Sequence, residues 1–136
     1  MSLVSIRIIT TDVKGLVKFY EKVTGMPIVQ YTPDFAELQT KTATLAIGST
    51  KTLRFFGGEA VAQASKNRSA IIEFLVDDVE KDYERLADFL EPYMVQKPTT
   101  MPWGNKSLLF RDPDGNLVNL FTPTTPETIK KFESKQ

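Results

Sequence analysis

Residues 70–79, AIIEFLVDDV, repeat the pattern of residues 4–13, VSIRIITTDV, at an offset of 66 positions. Ile6 falls on Ile72, Ile8 on Phe74 and Thr10 on Val76; Ser5 and Arg7 alternate with the first set, Ile71 and Glu73 with the second. Alternation with period two is the mark of a half-buried strand. Each copy then reaches an aspartate, Asp12 or Asp78, whose carboxylate suits the N-cap of a helix. A strand and a capped helix that recur in order imply a fold built from two copies of one supersecondary unit.

Reading outward from each copy completes the unit. From Val13 the apolar positions Leu16, Val17, Phe19, Tyr20 and Val23 recur at helical spacing, and Gly25 follows where a helix stops. Residues 27–31, 35–39 and 44–47 are short extended runs separated by turn-forming residues, the pattern of an antiparallel meander. Residues 52–56 read either as a strand or as the start of the connection, and the polar stretch 57–69 reads as a linker. In the second copy Val79, Tyr83, Leu86, Ala87 and Leu90 put one helical face inward, and residues 93–96, 106–111 and 117–121 read as strands. Asp112-Pro113-Asp114-Gly115 joins the last two, with proline pre-set for the first central turn position. Thr125-Pro126-Glu127 opens a short, solvated helix over 126–134. The predicted fold is α+β: one domain of two βαβββ modules, at about 1–56 and 70–123, a linker at about 57–69 and the C-terminal helix.

Composition narrows the functions. A chain of 136 residues can bury one core without disulfide or metal staples. Seventeen basic residues balance 17 acidic ones, so no net field draws the chain to nucleic acid or to an anionic membrane. No apolar run approaches a membrane span and no leader-like segment opens the sequence, which makes the cytoplasm the expected location. Cysteine and histidine are both absent. The usual nucleophilic thiol, the usual general base near neutral pH and the commonest metal ligand are therefore missing.

The whole pattern resembles the vicinal oxygen chelate superfamily of glyoxalases, extradiol dioxygenases and fosfomycin- and bleomycin-resistance proteins. Its signposts are Thr11-Asp12-Val13, Phe19-Tyr20 and Gly25, then Val76-Asp77-Asp78-Val79, Pro102-Trp103-Gly104 and Phe110-Arg111-Asp112-Pro113-Asp114-Gly115-Asn116. The resemblance implies a curved mixed sheet around a cleft, helices outside, in a homodimer. It also implies four metal-ligand positions, which fall on Ser5, on Ala46 (or near Arg54 if 52–56 is the strand), on Ile71 and on Asn119. A hydroxyl and an amide beside aliphatic side chains do not make a site for zinc, nickel, iron or manganese, so neither metal nor other cofactor is expected.

Residues that share a strand face with those positions are the binding candidates. Arg7 and Glu73 are equivalent in the repeat, which the resemblance would bring onto facing strands as an ion pair, at the cleft floor or merely structural. Trp103 either lines the pocket or plugs the core or a dimer contact. Phe35, Phe55 and Phe121 could add aromatic wall, or core; Asn119 and Arg111 could orient a polar group. Phe19 and Tyr20 read as core. The expected function is metal-independent binding of a small planar or amphipathic molecule, as in sequestering proteins of the bleomycin-resistance type. The alternatives are a metal-free isomerase or lyase with Glu73 as base and Arg7 stabilising an oxyanion, and a non-catalytic module whose cleft is filled.

Overall fold

The computed structural model describes residues 1–136. The element order is β1 (Ser5–Thr10), α1 (Val13–Thr24), β2 (Val29–Thr32), β3 (Phe35–Gln39) and β4 (Thr44–Ser49), then β5 (Ile71–Leu75), α2 (Val79–Leu90), β6 (Met94–Thr100), β7 (Asn105–Arg111), β8 (Leu117–Pro123) and α3 (Pro126–Phe132). The chain divides into two units, Met1–Asn67 with Pro113–Gly115 and Arg68–Asp112 with Asn116–Gln136.

Each unit holds one four-stranded mixed sheet, ordered β1-β4-β3-β2 in the first and β5-β8-β7-β6 in the second. In both, the opening strand pairs in parallel with the last strand of its module, and the other pairings are antiparallel. The repeat seen in the sequence is thus a repeat of topology: two βαβββ modules in an α+β fold.

The two aspartates cap as their positions imply. Asp12 Oδ1 accepts from the Gly15 amide at 2.9 Å, and Asp78 Oδ1 accepts from the amides of Glu80 and Lys81 at 3.1 and 3.3 Å. Such a cap is worth about 1 kcal/mol. Gly25 closes α1 at φ +67°, a conformation that glycine adopts without a Cβ penalty.

α1 lies on β3 and β4 and buries Val13, Leu16, Val17, Phe19, Tyr20 and Val23, so Phe19 and Tyr20 are core, edge to face at 5.4 Å. α2 lies on β6, β7 and β8 through Val79, Leu86 and Leu90. Residues 52–56, which read either as a strand or as the start of the connection, belong to a 3-10 helix, Thr50–Phe56, capped by the Ser49 side chain and closed by Gly57 at φ +100°. β4 is therefore the last strand of the first module. No helix is long and apolar enough to cross a membrane.

Candidate functional site

The helices leave the odd-numbered side chains of β1 and β5 on the opposite sheet face. In the first unit the register Arg7↔Ala46↔Glu37 places these three in one row across that face, with Ile9↔Gly48↔Phe35 in the next. A Cβ at Gly48 would stand 3.3 Å from Arg7 Cδ and 2.9 Å from Thr52 Oγ1. Glycine at this position lets the Arg7 stem lie across β4. Its guanidinium then sits 4.9 Å from the ring centre of Phe35 and 5.2 Å from that of Phe56. Phe35 in turn stacks on Tyr31 at 6.1 Å, and Gln39 Nε2 donates to the Tyr31 hydroxyl at 3.1 Å. A cation framed by aromatic rings results, beside an amide and a phenol.

In the second unit the parallel register sets Glu73 beside Asn119. Asn119 Nδ2 donates to Glu73 Oε2 at 2.9 Å. Asn119 is 8% exposed, and its Oδ1 is buried without a hydrogen-bond partner. Phe121, two residues on and 7% exposed, meets the Phe132 ring of α3 edge on at 5.1 Å. The C-terminal helix is docked by this aromatic contact and by the Thr128 hydroxyl, which donates to the Gly104 carbonyl, although no residue of it is fully buried.

The structure thus brings Arg7 together with Phe35, and Glu73 with Asn119, each pair inside one unit. Phe55, 92% exposed, is not against Arg7; its neighbour Phe56 is. Sequence reading missed Phe56 because in a 3-10 helix successive residues point about 120° apart, so only one of two adjacent phenylalanines can face the sheet. Arg111 ends β7 opposite Leu117 and is exposed. Trp103 lies in the β6–β7 turn and is 67% exposed, which excludes the reading as a core plug. That turn is fixed. The Gly104 carbonyl accepts from the Thr124 amide and hydroxyl, both at 2.9 Å, and from Thr128 Oγ1 at 2.7 Å. Gly104 has φ +94°, and a Cβ there would meet Thr125 Oγ1 at 2.5 Å.

The four positions at which a metal ligand is expected do not fit one. Because residues 50–56 are helical, the β4 position is Ala46 and not Arg54; Ala46 is 3% exposed and carries no donor. Ser5 offers a neutral hydroxyl, Ile71 nothing, and Asn119 an amide whose nitrogen is turned to Glu73. Transition-metal sites are built from three or four imidazole, thiolate or carboxylate donors. No group of three such residues comes together anywhere in the chain.

A separate depression of about 330 Å³ in the first unit lies between the start of α1 and the turns at Asp34 and Ser49. Its carboxylates already serve the fold: Asp12 caps α1, and Asp34 Oδ1 accepts from Ser49 Oγ at 2.8 Å.

Residues 2–120 match the profile of the Glyoxalase/Bleomycin resistance protein/Dioxygenase superfamily. The uncharacterized protein YraH of Bacillus subtilis (strain 168) is 26% identical over 125 residues, which cover 89% of this chain and 98% of that protein. Among solved structures, a glyoxalase/bleomycin resistance protein/dioxygenase family enzyme from Burkholderia phytofirmans PsJN superposes with a TM-score of 0.77 at 16% identity, covering 90% of this chain and 99% of that one. A glyoxalase/bleomycin resistance protein/dioxygenase from Nocardioides gives 0.72 at 21% identity, covering 93% and 85%. At these identities the two structures speak for the fold.

Proposed function

The chain belongs to the Glyoxalase/Bleomycin resistance protein/Dioxygenase superfamily, and from that premise we propose that it binds a small planar or amphipathic molecule without a metal ion. One observation carries the reading. The sheet faces opposite the helices bear organised polar and aromatic groups, Arg7 against Phe35 and Phe56 and Glu73 against Asn119, beside positions that supply no metal donors. Mostly apolar surface with a few fixed polar groups is the usual make-up of small-molecule sites. Trp103 and Phe55 add exposed aromatic surface.

The partner we propose is a second copy of the chain, supported by the large apolar side chains left exposed at Val4, Ile6, Phe55, Phe56 and Ile71. Sedimentation checks it: a monomer at micromolar concentration removes the dimer.

Binding is tested through Trp103, the single tryptophan. Chelator-treated protein is titrated with planar antibiotics and small aromatic metabolites, cationic, neutral and anionic, with and without divalent metal. A saturable change in emission that is equal in both conditions is expected. A response that requires metal, or none across the panel, refutes the reading.

A further inference from the structure

Glu73 and Asn119 are set side by side by the parallel pairing of β5 with β8. An ionised carboxylate only accepts hydrogen bonds, so the amide must offer its nitrogen to it, which the 2.9 Å contact from Nδ2 to Oε2 records. The same contact fixes Oδ1 on the other corner of the planar amide. That oxygen is buried and has no donor. A buried acceptor left unpaired carries the desolvation penalty of a hydrogen bond not made, so it marks a cluster that lacks a member.

Charge points the same way. Glu73 is exposed, is steered by the amide, and has no lysine or arginine of its own unit in an ion pair with it. Arg111, on the same face, stands two strands away. The surroundings are apolar. Ile71 and Leu75 flank Glu73 on β5, Leu117 and Phe121 flank Asn119 on β8, and Leu109 lies opposite Asn119 on β7. A carboxylate oriented on an aliphatic floor, next to an unused amide oxygen, complements N–H donors that carry positive charge on an apolar body. A hard metal ion is a poor match, because it needs about six oxygen ligands where this pair offers two atoms.

Resting on the small-molecule reading above, we infer that Glu73 and Asn119 are the recognition point for an organic cation, a primary ammonium or an amidinium on an aromatic or aliphatic body. Its N–H groups bond to Glu73 Oε1 and Asn119 Oδ1, and binding moves aside the side chains that shield Oδ1. The body lies on Leu75, Leu109 and Leu117.

Isothermal titration calorimetry at neutral pH with 2-naphthylmethylamine, 2-naphthylmethanol and 2-naphthoate tests this on one apolar body with three head groups. The amine is expected to bind about tenfold or more tightly than the alcohol, as suits a charge-assisted over a neutral hydrogen bond, with the carboxylate weakest. Glu73→Gln should bring the amine to the level of the alcohol and leave the alcohol within about threefold. Asn119→Leu, which keeps the branching at Cγ but removes the amide, should weaken the amine also, with thermal denaturation confirming that both variants fold. An amine no tighter than the alcohol, an amine indifferent to Glu73→Gln, or no binding by any of the three overturns the inference. Alcohol or carboxylate binding without preference for the amine does so while leaving the small-molecule reading in place; that reading falls only on the Trp103 panel.

Discussion

The Arg7 guanidinium, at 4.9 and 5.2 Å from two ring centres, is a surface charge with its geometry already chosen. Each such contact is worth about 0.5–1 kcal/mol where water still reaches it. The energetic gain is modest, so its consequence lies in order: a long side chain that would otherwise sample many rotamers is held in one orientation on the sheet face. Gly48 takes part by leaving room for the stem. Arg7→Ala should therefore lower stability by only about 1 kcal/mol, read as a fall in the urea midpoint at unchanged m. The same variant should weaken any ligand found by the Trp103 titration about tenfold, which corresponds to 1.4 kcal/mol. Arg7→Lys keeps the charge but not the planar stack and should recover little of the affinity. Affinity unchanged in Arg7→Ala would take Arg7 out of the binding surface.

At the scale of elements, the β7–β8 turn is held by side chain as well as backbone. Asn116 Nδ2 donates to Asp112 Oδ2 at 2.8 Å and the Asn116 amide donates to Asp112 Oδ1 at 2.9 Å, with both residues buried. Asn116→Ala removes the first of these bonds from a buried carboxylate, for which a loss of about 2 kcal/mol is expected. A loss of less than about 0.5 kcal/mol, read from the urea midpoint at unchanged m, would show the side-chain bond to be dispensable. This turn, both long helices and most strands were legible in the sequence, because caps, Gly25 and strict periodicity all agree there. Two elements were not. Thr52, Phe55 and Phe56 are residues that strands also favour, so the 3-10 helix at Thr50–Phe56 was masked by local propensity, and only the Ser49 cap and Gly57 mark it. β6 runs to Thr100, beyond the expected 93–96, and carries Pro98 within it. Proline is tolerated there since β6 is an edge strand with irregular register.

For the molecule as a whole, the repeat determines what can be read and what cannot. It gave the architecture; the resemblance implied the four ligand positions, and residue identity alone decides whether Ser5, Ala46, Ile71 and Asn119 can bind a cation there. It could not give the pairing of Asn119 with Glu73, which depends on strand register, nor the choice of Phe56 over Phe55, which depends on helical phase. The donor set leads to a prediction for the complete protein. A site filled at 100 times its dissociation constant stabilises a fold by about 2.7 kcal/mol, a shift of several degrees in Tm for a chain of this size. After treatment with chelator, addition of Zn²⁺, Ni²⁺, Mn²⁺ or Fe²⁺ should move Tm by less than about 1 °C, since one neutral hydroxyl and one amide give no comparable affinity. A shift of several degrees with any one of these ions would mean that donors outside the four strand positions assemble a site, and metal-free binding would have to be given up.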